Sequence, residues 1–216
     1  MSLKILFLLF MIYAFLGWVL ETIVVSIESK KIVHRGFLVG PYIPIFGVGA
    51  ILITLLLSDY DKDIFVLFIM SCFLGAILEY ITSYLMEKIF NTRWWDYSHE
   101  KFNLNGRVCL RTTIAFGILG IILIKILNPF FINLLDKLSD FSVSIIVIIL
   151  AIIFVTDLIV SFRVISKIKS VNFGLGKDTT EEVSLKVREA LKKRSLLTRR
   201  LVSAFPDLKI LGKFKK

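Results

Sequence analysis

The chain has 216 residues, of which 56% are hydrophobic and 20% charged, and carries a formal net charge of +10 at pH 7. Its mean hydropathy is +0.81, whereas soluble domains run nearer half apolar with about a quarter charged. Two cysteines exclude a secreted disulfide scaffold, and 12 glycines, 4 prolines and the hydrophobicity exclude a fibrous or disordered chain. Too little of the chain is polar to enclose the core of a soluble nucleic-acid binder. The expected class is an all-α integral membrane protein.

A hydrocarbon core of about 30 Å takes about 20 apolar residues in a helix. In chain order, the apolar runs predict five spans, at about 3–27, 37–57, 64–84, 110–127 and 143–162. The first is too long, and lacks the small-residue cleavage site, to be a removed signal peptide. The connection at 58–63 is net negative, as is the one carrying Asp136, Lys137 and Asp140. The other two are basic, with Lys30, Lys31 and Arg35 in the first and Lys88, Arg93, Lys101, Arg107 and Arg111 in the third. Lys and Arg stay on the cytoplasmic side, so the N-terminus is expected outside and the C-terminus inside, with Lys4 the one dissenting charge. The membrane domain is expected to be 1–163 and the cytoplasmic tail 164–216. Residues 163–216 hold 15 Lys+Arg against 5 Asp+Glu. The whole +10 therefore belongs to the tail.

The first and third spans repeat a phrase. Phe15-Leu16-Gly17-Trp18-Val19-Leu20-Glu21-Thr22-Ile23 aligns with Phe73-Leu74-Gly75-Ala76-Ile77-Leu78-Glu79-Tyr80-Ile81, six of nine positions being identical. Gly36 and Phe46-Gly47 match Gly106 and Phe116-Gly117 at one constant offset. This predicts two parallel-repeat hairpins, related by an axis along the membrane normal, plus a fifth helix.

Glu21, Glu79 and Asp157 lie inside or near the end of an apolar span, all at a similar depth toward the cytoplasm. A charge at the bilayer centre costs about 2.5–3.5 kcal/mol on the most lenient scale and so needs partners or water. Arg35, Arg107 and Arg111 stand at the entrances of the second and fourth spans, where helix N-termini also favour anions. Two readings stay open. The carboxylates and arginines either pair structurally within each hairpin, or line a cytoplasm-facing charged cavity. The third loop, Asn91 to His99, is either an interfacial aromatic anchor or a lid over that cavity, with Arg93, Asp96, Tyr97 and Arg107 beside it.

His34 and His99 lack ligand spacing, so neither a metal nor a cofactor is expected. Cys72 and Cys109 suggest no disulfide. Nucleotide-binding and hydrolase motifs are absent from the sequence. The run from Ser170 to Lys177 reads as a hinge. From Thr179 a basic amphipathic helix is expected, ended by Phe205-Pro206, and its chemistry suits anionic lipid headgroups rather than nucleic acid.

Several motifs carry a resemblance: Phe-Leu-Gly-x-x-Leu-Glu, the stretch Arg35 to Tyr42, Trp94 to Ser98, Phe102 to Leu110, and Arg199 to Pro206. Together they resemble the bacterial "putative ABC-transporter type IV" permease-like family. The resemblance implies a multi-pass protein of the bacterial cell membrane that works with a separate ATPase subunit. The expected function is a permease-like subunit for an anionic or zwitterionic solute or lipid headgroup. A membrane-embedded enzyme on a lipid headgroup, or a non-catalytic assembly protein, are the alternatives, and a homo-oligomer is a further expectation.

Overall fold

The computed structural model describes residues 1–30, 32–90, 92–172, 196–205 and 209–210. α1 (Leu3–Ser29) starts at Ser2, whose hydroxyl accepts from the Ile5 N–H, and stops at Lys30, which turns left-handed. α2 (Pro44–Leu57) begins on a proline, whose missing N–H costs nothing in a first turn. A 3₁₀ turn at Ser58–Tyr60 leads to α3 (Ile64–Phe90). The loop after α3 carries β1 (Thr92–Arg93), β2 (Asn103–Leu104) and β3 (Val108–Cys109). α4 (Leu110–Ile122) passes through a π turn, Leu123–Leu127, into α5 (Asn128–Asp136). α6 (Asp140–Asn172), α7 (Leu196–Ala204) and β4 (Lys209–Ile210) complete the described chain. β2 and β3 form an antiparallel pair, and β4 returns antiparallel to β1 with Ile210 opposite Thr92.

Among the described residues four helical stretches are long and apolar enough to cross a membrane: Leu3–Ile27, Ile64–Phe90, Leu110–Asp136 and Asp140–Val164. The expected five is thus met by four of full length. α2, with 14 residues, rises about 21 Å at about 1.5 Å per residue, short of the hydrocarbon core. The cause is at its entrance: Gly36 sits at φ 93°, and Pro41 and Pro44 keep helix from forming before Pro44. The fourth stretch, expected to stop at 127, continues to Asp136. Pro129 would collide with the carbonyl four residues back, that of Lys125, and the π turn containing Lys125 absorbs the misfit. α6 likewise overruns its expected end. Ser170, Val171 and Asn172 are helical rather than hinge, while 173–195, including the expected Thr179 cap, lie outside the described residues.

α1 packs on α2, α3 on α4, and α2 on α3. Gly17 lies against the Phe46 ring and Gly75 against Phe116, while Gly47 lies against Phe10 and Gly117 against Phe68. Small residues let membrane helices approach closely, and here each glycine receives a phenylalanine from its hairpin partner. Phe46 and Phe116 meet between the hairpins with ring centroids 6.3 Å apart. Only 6% of the most apolar window of α6 is buried, so this helix presents hydrocarbon surface outward. At one end of the bundle, the far end, Lys4 bridges to Asp140 at 2.9 Å, which neutralises the dissenting charge. At the other, the tail end, Leu201, Ala204 and Phe205 bury against Phe90 and Trp94.

Candidate functional site

The polar side chains of the tail end form three groups. The first holds the irregular loop before α2. Non-helical backbone at membrane depth must find partners within the protein, and Asp157 of α6 provides them. Its carboxylate accepts from the Val39 N–H at 2.9 Å, the Gly40 N–H at 2.6 Å, the Tyr42 O–H at 2.5 Å and the Ser161 O–H at 2.9 Å. Arg200 of α7 donates to the Leu38 carbonyl at 2.6 Å, and burial lowers the pKa of this guanidinium from its ordinary value while Asp157 offsets part of that. Arg35 donates to Glu21 at 2.9 Å and to the Ala204 carbonyl at 2.5 Å, and lies 4.9 Å over the Phe205 ring.

The second group centres on Glu87. Arg107 pairs with it at 3.0 Å and Arg93 donates to it at 3.1 Å. Arg107 also donates to Ser83 and lies over the rings of Tyr80 and Tyr84. Arg93 reaches Asp96 at 3.5 Å, and Asp96 accepts the Ser98 N–H at 3.0 Å. Sequence reasoning missed Glu87, which lies past the expected end of the third span. The signal was there: Glu79, Ser83 and Glu87 recur at four-residue spacing on one face of a helix, and all three are buried.

The third group is Glu79, 6% exposed. The Tyr97 phenol donates to it at 3.1 Å and the Thr112 hydroxyl lies 3.0 Å from its other oxygen. Tyr97 is set in place by its own N–H, which bonds the Gly106 carbonyl at 2.8 Å, and by Trp95, whose ring N–H takes the Arg107 carbonyl. Burial pushes the Tyr97 phenol pKa up, and the Glu79 and Glu21 carboxyls add to this. The phenol therefore stays protonated as a donor.

The structure thus brings Glu21 to Arg35, Glu79 to Tyr97, and Arg93, Asp96 and Arg107 into one network around Glu87. Asp157 is turned to backbone N–H groups rather than to a cavity. Arg111 pairs with Glu100 at 3.4 Å, and both side chains are well exposed.

The cavity itself is apolar. About 300 Å³ opens between the hairpins, walled by Gly17 and Phe46 on one side and Gly75 and Phe116 on the other. Leu20 and Leu78 line it toward the tail end, each directly before Glu21 or Glu79 in the sequence; Tyr13 and Leu127 line it toward the far end. The expected charged lining is therefore displaced: the charges stand beyond the tail end of the cavity, mostly paired, because an unpaired charge among these leucines is too costly. At the far end the Tyr13 phenol donates to Asn128 at 2.6 Å, and the Asn128 amide donates to Thr54 at 2.9 Å. This buried triad ties α1, α2 and α5 together. It borders a second, open cavity of about 430 Å³ that Ser58, Asp61 and Asp136 also line.

The model of the family described as "putative ABC-transporter type IV" matches residues 8–162. The chain belongs to that family. With its apolar helices this makes it a multi-pass membrane protein of transporter-like type. The family stretch holds both cavities, Glu21, Glu79, Glu87 and Asp157, while α7 and β4 lie beyond it. No curated protein and no solved structure matches the chain.

Proposed function

We propose that this chain is a permease-like membrane subunit, without an ATPase of its own, that handles an amphiphile with an anionic or zwitterionic headgroup. The observation that carries this reading is the apolar cavity between the hairpins, which ends within one residue of Glu21 and Glu79. An apolar cavity of about half this size stays dry and takes up an apolar guest. Here the guest is an acyl or prenyl chain, with its headgroup at the Glu79, Tyr97 and Arg35 end.

The matched glycine–phenylalanine contacts support two parallel repeats, α1–α2 and α3–α4, about an axis along the membrane normal. The left-handed backbone shared by Gly36 and Gly106 supports the same reading. The tail end then faces the bacterial cytoplasm, and the basic tail, 164–216, is the part of the chain suited to anionic lipid or a separate ATPase subunit. α2, with the irregular stretch before it, supplies the fifth crossing.

Mass spectrometry of lipids retained by protein extracted in native bilayer discs tests the reading. Gly49 lines the cavity, and a Cβ there meets only Leu78, at 3.2 Å. Gly49→Leu is therefore expected to fill the space and expel the bound amphiphile while the protein stays folded. Retention of the same lipid in the same amount would refute it.

A further inference from the structure

In the first hairpin the residue before the left-handed glycine is Arg35, and it neutralises Glu21 at 2.9 Å. In the second hairpin the aligned residue, before left-handed Gly106, is Asn105. Its amide bonds the Tyr80 hydroxyl at 2.9 Å. Glu79, aligned with Glu21, is thereby left without a cation: among the described residues its partners are the hydroxyls of Tyr97 and Thr112. Arg107 comes from the same loop but is taken by Glu87 and Ser83. The other titratable groups facing this site are Glu21 of α1, with Tyr97 and Cys109 of the loop. α2 contains no titratable side chain. Among the described residues, none of these groups supplies a positive charge to Glu79.

The hydrogens can be counted. The Thr112 hydroxyl lies 3.0 Å from Glu79 and 3.0 Å from the Cys109 carbonyl, both of them acceptors. It has one hydrogen to give. The Cys109 carbonyl also accepts from the Thr113 hydroxyl at 3.0 Å, so Thr112 is free to accept from a protonated Glu79 or to donate to an ionised one. Tyr97, held as a phenol, satisfies the second oxygen of Glu79. A carboxylate that is 6% exposed with hydroxyl partners has no counter-charge to offset its desolvation, whereas the acid form needs none.

We propose that Glu79 is a proton-carrying carboxyl at the cytoplasmic mouth of the cavity, loaded when Tyr97 and Thr112 close around it and unloaded when the 92–109 loop lifts. The exchange moves one proton between Glu79 and water, with no other bond made or broken. That this proton couples loop movement to the occupancy of the cavity rests on the permease reading above. The proton site itself does not.

Dicyclohexylcarbodiimide, an apolar reagent that adds to protonated carboxylic acids in membranes, tests it on the full chain in native membrane vesicles, with peptide mass spectrometry locating the adduct. Glu79 is expected to label at least about tenfold faster than Glu21, whose carboxylate is paired with Arg35. Its labelling should fall as pH rises and vanish in Glu79→Gln. Thr112→Val keeps the carboxyl and removes its partner, so the pH at which labelling is half lost should move. Equal labelling of Glu21, no labelling of Glu79 at any pH, or an unmoved midpoint in Thr112→Val would each overturn the proposal. If Glu79 labels as stated while Glu79→Gln retains lipid like the unaltered protein, the coupling fails and the proton site stands.

Discussion

Gly75→Ala tests the packing on which the cavity depends. A Cβ at Gly75 would lie 2.6 Å from the Cβ of Phe116 and 2.7 Å from its ring. Ordinary carbon–carbon contact is about 3.5–4.0 Å, so the shortfall is about 1 Å. The Phe116 ring also meets Phe46, with centroids 6.3 Å apart, and lines the cavity. Either α3 and α4 separate or the ring leaves its rotamer, and overpacking of this kind costs about 1–3 kcal/mol. The assay is reversible unfolding of the purified protein in mixed micelles by titration with a denaturing detergent, followed by far-UV circular dichroism. Phe116→Ala alone is destabilising through its lost packing, so the decisive quantity is the coupling in a double-mutant cycle. With the ring removed, Gly75→Ala should become nearly neutral, a coupling of about 1–3 kcal/mol. The aligned pair, Gly17 and Phe46, should couple with the same sign. An unchanged unfolding midpoint for Gly75→Ala, or zero coupling, would refute the close approach.

Two further outcomes follow from the tail-end networks. Glu87→Gln leaves Arg93 and Arg107 facing each other without their shared anion, at side-chain exposures of 21% and 9%. Removing one partner of a buried ion pair costs about 3–5 kcal/mol, so this variant should unfold at markedly lower detergent fraction than Glu21→Gln, whose Arg35 keeps the Ala204 carbonyl and the Phe205 ring. Asp157→Asn exchanges charged hydrogen bonds for neutral ones, a loss of about 1 kcal/mol for each donor. It should raise hydrogen–deuterium exchange at the Val39 and Gly40 amides, and unaltered protection there would count against the clamp.

The apolar runs made the membrane class and the bodies of α1, α3 and α6 legible, since hydrocarbon-length stretches have no soluble alternative. The broken start of α2 could be read from Gly36, Gly40, Pro41 and Pro44. The continuation of α4 into α5 was hidden because Asn128-Pro129 reads as a stop, and only neighbouring helices decide whether a membrane helix survives its proline. The same holds for the charges. Glu21 with Arg35 could be anticipated, because both stand at the ends of adjacent spans. Asp157 accepts from the Val39 and Gly40 N–H groups as well as from the Tyr42 and Ser161 hydroxyls, and a backbone partner leaves no residue type in the sequence to point to it. The docking of α7 was obscured for a related reason: its basic residues suit a lipid surface equally well, while Leu201 and Phe205 bury against Phe90 and Trp94.

Under the repeat reading, the two hairpins differ most in what they do with one aligned position. Arg35 neutralises its own glutamate and also holds the C-terminal segment, through the Ala204 carbonyl and the Phe205 ring. The first hairpin's mouth is therefore fixed from three directions, by Arg35, by Asp157 of α6 and by Arg200 of α7. Asn105 does neither. Its glutamate is covered instead by Tyr97, carried on a loop that meets the C-terminal segment through the β1–β4 pairing and the apolar cluster of Trp94 with Leu201, Ala204 and Phe205. The C-terminal segment thus holds the first hairpin through charged bonds and the second through a short strand pair and apolar packing. The hairpin held without charged bonds is the one whose carboxyl has hydroxyl partners and, among the described residues, no cation.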